Sequence, residues 1–256
     1  MNFNLSQIPE RVAKTRSSGL TVVSDKGLSL AEVSYLIDSA APYIDLVKLA
    51  FGTALFAPQL RQKIELYKSN NIRVFLGGLL FEAFVIRNQV EDFEQILKDY
   101  DISYVEVSDG AINISQEQKL QYISRFSEYG TVISEIGSKD KDKVLVTPPY
   151  KWIQLMQAEL DAGSAYVIAE AKESGTVGIY RDSGEVREGL IQEILTKIPA
   201  DRIIWEAPEK HQQLYFIKLI GANVNLGNIA PNEVIALEAM RLGLRGDSFD
   251  FYLDSV

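Results

Sequence analysis

The sequence contains no cysteine and only one histidine among its 256 residues. Without cysteine there can be no disulfides, thiolate metal ligands or cysteine nucleophiles. A single histidine argues against a zinc site built from several imidazoles and against a Ser-His-Asp triad. Acid–base chemistry would therefore depend on Lys, Asp, Glu or Tyr, and any metal would be held by oxygen ligands.

Positive charge is also scarce, with 26 Lys and Arg against 35 Asp and Glu and a formal net charge of −9. This balance argues against a basic nucleic-acid-binding module. Residues 1–16 contain no apolar stretch of signal-peptide length, and no run approaches the roughly 18 apolar residues that cross a bilayer. We therefore expect a cytoplasmic protein that contacts neither nucleic acid nor membrane.

The chain is rich in short apolar runs that contain β-branched residues and are separated by amphipathic stretches. Hydrophobic residues make up 46% of the sequence, enough for a full core. Alternation of this kind indicates βα units and a parallel sheet. The eight predicted strands are 20–24, 43–49, 73–76, 103–108, 131–136, 165–170, 202–206 and 222–226.

Two helix starts between these strands have the spacing of a capping box, Ser29 with Glu32 and Ser115 with Gln118. Eight units in 256 residues correspond to 32 residues each, close to the about 250 residues of a (β/α)₈ barrel. We predict one (β/α)₈ TIM-barrel domain over residues 1–256, with a short N-terminal extension over about residues 1–18. The alternative, an open doubly wound sheet, usually carries a GxGxxG turn after its first strand, which residues 24–27 (SDKG) do not provide.

Carboxylates end or follow several of the predicted strands, in the segments VEVS, VISEI, VIAEA and IIWEA. In a barrel these strand ends share the catalytic face. Any one of these charges could simply enter solvent, but their recurrence on four strands indicates a site, because a buried carboxylate needs a cation, a metal or hydrogen-bond donors. Oxygen ligands suit Mg²⁺. The predicted metal ligands are Asp25, Glu106, Glu170 and Glu206.

Cationic and amide side chains fall near the same strand ends and would hold an anionic ligand. The segment 225–229 (NLGNI) is predicted to be a turn before the last helix, where barrels commonly bind phosphate on backbone N–H groups, although a plain βα turn would have the same spacing. The predicted anion-binding residues are Lys26, Lys172, Ser174, Asn225, Asn228 and Arg245.

Eight sequence blocks occur in the order found in one enzyme family. The chain resembles phosphosulfolactate synthases, barrel enzymes that add sulfite to phosphoenolpyruvate on a route to coenzyme M. The blocks are GLTVVSDKGL (19–28), YIDLVKLAFGT (43–53), GGLLFE (77–82), VEVSDG (105–110), SEIGSKD (134–140), DAGSAYVIAEAKESG (161–175), WEAPEK (205–210) and VNLGNIAPNEVIALEAMRLGLRGDSF (224–249).

The resemblance implies a Mg²⁺-dependent carbon–sulfur lyase acting on two small anions, sulfite and phosphoenolpyruvate. Sulfite would attack C3 of phosphoenolpyruvate, and a proton would then reach C2. Lys139 falls on the lysine that the family pattern offers as proton donor, and Lys48 and Glu135 complete the predicted catalytic set. A lysine donates a proton near neutral pH only if desolvation or neighbouring cations lower its pKa from about 10.4.

The sequence departs from the family pattern at three places. Leu79 replaces a threonine, Lys172 replaces an arginine, and residues 49–53 (LAFGT) stand where the family has FGWGT. A lysine cannot reproduce the two-pronged hydrogen bonding of an arginine on phosphate or sulfonate. Two alternatives therefore stay open: a relative that binds another anion or serves a non-catalytic stress-tolerance or binding role, and a Schiff-base aldolase that uses Lys48. Whether the protein forms a homo-oligomer is also left open.

Overall fold

A closed parallel barrel organises the chain. The computed structural model describes residues 3–137, 147–171 and 174–253. Eight parallel strands pair in chain order from β1 to β8, and β8 returns to β1. They are β1 (Thr21–Asp25), β2 (Leu46–Leu49), β3 (Arg73–Leu76), β4 (Tyr104–Val107), β5 (Thr131–Ile136), β6 (Ser164–Ala169), β7 (Ile203–Glu206) and β8 (Leu226–Ile229). The predicted (β/α)₈ barrel is confirmed.

Helices follow the strands and cover the outside of the barrel. Both predicted capping boxes are present, with Ser29 and Ser115 accepting from the backbone N–H of Glu32 and Gln118. The α-helices of the described segments are α1 (Leu30–Ala40), α2 (Leu60–Ser69), α3 (Gly78–Val85), α4 (Val90–Asp99), α5 (Gln116–Ser127), α6 (Pro149–Asp161), α7 (Glu188–Leu195), α8 (Lys210–Ile220) and α9 (Val234–Arg241). No helix within these segments is long and apolar enough to span a membrane.

The eighth strand lies later in the chain than its pattern predicts. Residues 222–226 were expected to form it, yet β8 begins at Leu226 and includes the predicted turn residues Gly227 and Asn228. Glycine and asparagine are poor strand formers, so composition indicated a turn. Packing explains the glycine, because a Cβ at Gly227 would lie 2.9 Å from Cγ2 of Ile204 on β7.

The barrel interior has two layers, an apolar lower half toward the amino-terminal ends of the strands and a charged upper half toward their carboxyl ends. The lower half is a cluster of buried side chains that includes Leu46, Phe75, Ile133, Ile168 and Ile204. Successive strand residues face opposite sides of a sheet, so a side chain two positions further on also points inward. The upper residues follow in this way: Lys48 after Leu46, Glu106 after Tyr104, Glu135 after Ile133, Glu170 after Ile168 and Glu206 after Ile204.

The N-terminal segment crosses the opposite, amino-terminal end of the barrel. Arg11 pairs with Glu238 of α9 at 2.9 Å and donates to the carbonyl of Ala222. Lys14 donates to the carbonyls of Ala41 and Asn70, which follow the ends of α1 and α2. Cations are favourable at helix C-termini, where unpaired carbonyls concentrate negative charge. The predicted N-terminal extension therefore closes the end of the barrel away from the charged residues.

Candidate active site

A cavity of about 360 Å³ opens at the carboxyl ends of the strands. Catalytic groups of barrel enzymes lie at this end, because the βα loops and strand ends converge there. The cavity is lined by Ser24, Lys48, Ala50, Phe51, Gly77, Gly78, Leu79, Glu106, Glu135, Glu170, Ser174, Glu206 and Asn228.

The ammonium group of Lys48 lies among three carboxylates. Its Nζ is 2.9 Å from Oε1 of Glu106, 3.5 Å from Oε2 of Glu135 and 3.8 Å from Oε1 of Glu206. Burial lowers the pKa of Lys48, but attraction to the three carboxylates outweighs burial and raises the pKa above its usual value. Lys48 is therefore a fixed positive charge at neutral pH.

Glu106 is a buried carboxylate whose pKa is raised into the neutral range. It is 1% exposed, and burial raises its pKa to about 7 although Lys48 acts in the opposite direction. Oε1 contacts Lys48, whereas Oε2 is buried with no hydrogen-bond partner among the described residues. This oxygen is available to a proton, a cation or a substrate hydroxyl.

Two glycines make room for the carboxylates. A Cβ at Gly78, the first residue of α3, would collide with Oγ of Ser108 and lie 2.5 Å from Oε1 of Glu106. Gly137 has a φ of +147°, and a Cβ there would lie 2.7 Å from Cβ of Glu170. Both positions therefore require the absence of a side chain.

The wall beside the carboxylates is apolar and includes Ala50, Phe51 and Leu79. Phe51 has a φ of 55° and a ψ of 25°, a left-handed conformation that is unusual for a bulky residue. Nζ of Lys26 lies 5.6 Å from the centroid of the Phe51 ring, within the range of a cation–π interaction. The structure therefore places Lys26 beside the pocket, at the end of the apolar wall.

A polar edge completes the cavity. Ser24 donates a hydrogen bond to Oδ1 of Asn228 at 3.1 Å, and the Ser174 hydroxyl lies 2.8 Å from that of Thr176. Sequence reasoning identified Asn228 and Ser174 but missed Ser24. The signal was available, since Ser24 comes two positions after Val22 of the apolar lower cluster.

Three predicted site residues lie elsewhere. Asp25 follows inward-facing Ser24 by one position and so faces the helices, where it pairs with Lys63 at 2.7 Å. Asn225 precedes β8 at the amino-terminal end of the barrel and donates to the carbonyls of Asp201 and Ile203. Arg245 lies beyond α9 and does not line the cavity.

The remaining predicted residues fall into two groups. Lys139 and Lys172 lie outside the described residues. By contrast, the structure brings most of the rest to one cavity. The residues that it brings together are Lys48, Glu106, Glu135, Glu170, Ser174, Glu206 and Asn228, with Lys26 beside them.

The described residues contain no group of three or more acidic or histidine side chains arranged to enclose a metal ion. Mg²⁺ does not need such a cage, because it is usually held by one or two carboxylates together with water and substrate oxygens. The buried Oε2 of Glu106, which has no hydrogen-bond partner within the described segments, is a donor of the right kind. Among the described residues, the cavity is lined by one lysine, Lys48, and by a larger number of glutamates. The donor set therefore suits a divalent cation shared with a substrate.

Residues 9–247 match the protein family described as (2R)-phospho-3-sulfolactate synthase. The chain is 39% identical to the phosphosulfolactate synthase of Bacillus subtilis over 250 residues, which cover 97% of this chain and 99% of the relative. It is 38% identical to that of Methanothermobacter thermautotrophicus over 244 residues, covering 94% and 95% of the two chains. The corresponding values for Methanocaldococcus jannaschii are 40% over 237 residues, covering 90% and 94%.

Solved structures of distant sequence share the barrel. The 3-hexulose-6-phosphate synthase of Salmonella typhimurium superposes with a TM-score of 0.54 at 14% identity, covering 90% of this chain and 95% of that one. The thiamine phosphate pyrophosphorylase of Pyrococcus furiosus superposes with a TM-score of 0.52 at 12% identity, covering 93% and 99%. At such identities the likeness concerns the fold alone.

Proposed function

The chain belongs to the (2R)-phospho-3-sulfolactate synthase family of enzymes, and from this we propose that it joins sulfite to phosphoenolpyruvate. The sulfite sulfur forms a bond to C3, the electrons of the double bond move toward C2 and the carboxylate, and a proton is added at C2. The product is (R)-2-phospho-3-sulfolactate. The observation that carries the proposal is the cavity in which Lys48 lies within 3.8 Å of three glutamates.

Lys48 is suited to stabilising the negative charge that develops on the substrate. Its ammonium is held by Glu106, Glu135 and Glu206 and needs no reorganisation when charge appears. Preorganised charge of this kind is the largest contribution in many enzymes. Lys26 at the cavity edge would attract the incoming anions, and the hydroxyl of Ser174 and the amide of Asn228 can donate hydrogen bonds to them.

The proton donor in this proposal is Lys139, on the strength of the family pattern. Glu135, on β5 in the same SEIGSKD block, contributes to the charge balance around Lys48. Because the cavity holds an excess of carboxylates, further positive charge is needed before two anions can bind together.

We propose Mg²⁺ as the cofactor, held by Glu106 with Glu170 or Glu206, while Asp25 is left out because it already pairs with Lys63. When bound, Mg²⁺ would supply Lewis-acid stabilisation to the substrate oxygens. Glu206 also accepts the backbone N–H of Ala171 at 3.0 Å, which fixes its carboxylate at the cavity edge.

The test is an incubation of the purified protein with sulfite, phosphoenolpyruvate and Mg²⁺, with mass spectrometry to detect the sulfonate. Formation of phosphosulfolactate is expected. Absence of product, while a known synthase works under the same conditions, would contradict the proposal. Lys139→Ala should abolish turnover and leave the circular dichroism spectrum unchanged. A wild-type rate in that variant would remove Lys139 from the mechanism.

The two alternatives make different predictions. A Schiff-base lysine needs a lowered pKa to act as a nucleophile, whereas the pKa of Lys48 is raised, so borohydride and a ketone substrate should trap no adduct. A non-catalytic relative would bind sulfite, phosphoenolpyruvate or Mg²⁺ in calorimetry without turnover. Leu79, which lines the cavity where the family has a hydroxyl, is the observation that favours this second alternative.

Two predictions concern the whole protein. We propose that residues 1–256 form one domain and that the protein is cytoplasmic. Limited proteolysis and cell fractionation test these statements in turn, and a stable fragment or a membrane-bound fraction would contradict them. The homo-oligomer left open by the sequence is decided by analytical ultracentrifugation.

A further inference from the structure

A buried lysine outside the cavity contacts the backbone of a predicted catalytic residue. Lys119 lies in the first turn of α5 and is 2% exposed. Its Nζ donates to the carbonyl of Glu135 at 2.6 Å and contacts Oδ1 of Asp109 at 2.8 Å and Oε1 of Glu159 at 2.9 Å. An ammonium group has three hydrogens, so these three acceptors use its full capacity.

The carbonyl of Glu135 lies at the end of the pairing between β4 and β5. β4 ends at Val107, which pairs with Ser134 on β5, so Glu135 lies one residue beyond the ladder between these strands. A hydrogen bond to a buried carbonyl contributes to stability, and Lys119 donates one to this carbonyl at 2.6 Å. The end of β5 is therefore held by a side chain from the helix layer.

Charge keeps Lys119 in this position. Burial lowers the pKa of Lys119, but attraction to Glu159 on α6 and Asp109 after β4 outweighs burial. The pKa is raised overall, so the group is an ammonium at neutral pH. Lys119 and Glu159 are both buried, so this ion pair is shielded from water. Asp109 and Glu159 together hold Nζ in place, and Nζ in turn fixes the carbonyl.

We propose that Lys119 is a positioning residue that acts through Glu135. It does not line the cavity. By anchoring the carbonyl of Glu135, it holds the carboxylate of the same residue 3.5 Å from the ammonium of Lys48. Loss of the anchor lets the end of β5 shift and loosens this contact. The inference rests on the proposed function, in which Lys48 and Glu135 form part of the catalytic set.

Two variants separate positioning from simple stabilisation. Glu159→Gln removes the charge of the partner but leaves the ammonium on Asp109 and on the carbonyl of Glu135. The double variant Lys119→Met/Glu159→Gln removes the anchor as well, without leaving Glu159 as an unpaired buried charge, and should therefore fold. Thermal unfolding of both proteins checks this point.

The kinetic readout is the division of the effect between kcat and KM for phosphoenolpyruvate. In the double variant we expect kcat to fall about tenfold with KM changed less than about twofold, whereas Glu159→Gln should keep kcat within about twofold of wild type. An equal fall in kcat in both folded variants would assign the effect to the charge of Glu159 rather than to the hydrogen bond on the carbonyl of Glu135, and would overturn the inference. A wild-type kcat in the double variant would likewise overturn the inference.

A structural readout keeps this test separate from the test of the function. If the wild-type protein forms no sulfonate from sulfite and phosphoenolpyruvate, the proposed function fails, and crystal structures of the two variants decide the role of Lys119. The distance between Lys48 Nζ and Glu135 Oε2 should stay within about 0.5 Å of its original value in Glu159→Gln and change by more in the double variant. An unchanged distance in the double variant would refute positioning.

Discussion

Replacing Lys48 by methionine keeps most of the side-chain volume but removes the positive charge among three buried carboxylates. The side chains of Glu106, Glu135 and Glu206 are 1%, 6% and 8% exposed. Removing one partner of a buried ion pair costs about 3–5 kcal/mol, because the remaining charge is left uncompensated. At about 2–4 °C per kcal/mol for a domain near this size, Tm should fall by about 6–20 °C.

The loss of stability in Lys48→Met should depend on pH. The pKa of Glu106 is about 7 in the folded protein, already above the about 4.3 expected in the unfolded chain, and loss of Lys48 raises it further. The folded state then binds more protons than the unfolded state between these two values, so the free energy of unfolding falls as pH rises through that window. Lys48→Met should therefore be closest to wild type near pH 5 and furthest from it near pH 8.

Urea unfolding followed by circular dichroism, with a chelator present, measures both effects. Lys98→Met is the matched control, because Lys98 pairs with Glu94 on the surface of α4 with its side chain 48% exposed, and such pairs contribute about 0.3–0.5 kcal/mol. The electrostatic reasoning would be refuted if Lys48→Met lowered the free energy of unfolding by no more than the control does, or if its effect did not vary with pH.

Asparagines at the two ends of the barrel should behave differently. Asn225→Ala should lower the free energy of unfolding in urea by about 1–3 kcal/mol and leave kcat/KM unchanged. Asn228→Ala should lower kcat/KM with a smaller loss of stability. The reverse pattern would contradict the roles assigned to the two residues. Gly78→Ala should abolish turnover, because the added methyl would displace Glu106 and Ser108, and a crystal structure with both side chains in place would contradict this. Prolonged dialysis against a chelator should remove synthase activity and Mg²⁺ should restore it; full activity in the chelator would exclude the metal.

The predictable part of the site follows from a simple periodicity. Carboxylates that stand two positions after apolar residues on successive strands must face the barrel interior, and Glu106, Glu135, Glu170 and Glu206 do so. Asp25 shows the limit of this reasoning. Its identity suggested a ligand, but one step along the strand turns a side chain to the opposite face.

Other features depend on contacts that a single sequence does not reveal. β8 includes Gly227 and Asn228 because β7 packs closely against it, so tertiary packing overrides local preference. The left-handed conformation of Phe51 has no local signature, since bulky residues rarely adopt it. Lys119 looks like an ordinary helix residue until the ends of β4 and β5 are compared.

The N-terminal segment that contains Arg11 and Lys14, here called the strap, crosses the amino-terminal end of the barrel and has a consequence for biosynthesis. Arg11 is translated early, but its partners Ala222 and Glu238 are translated late, and β1 likewise pairs with β8. Until the last strand and helix have left the ribosome, the nascent chain therefore exposes the unpaired edge of β1 and the cationic groups of the strap. Barrel closure and sealing of its base become late, shared events, and mutations in the strap should act first on the yield of folded protein in cells.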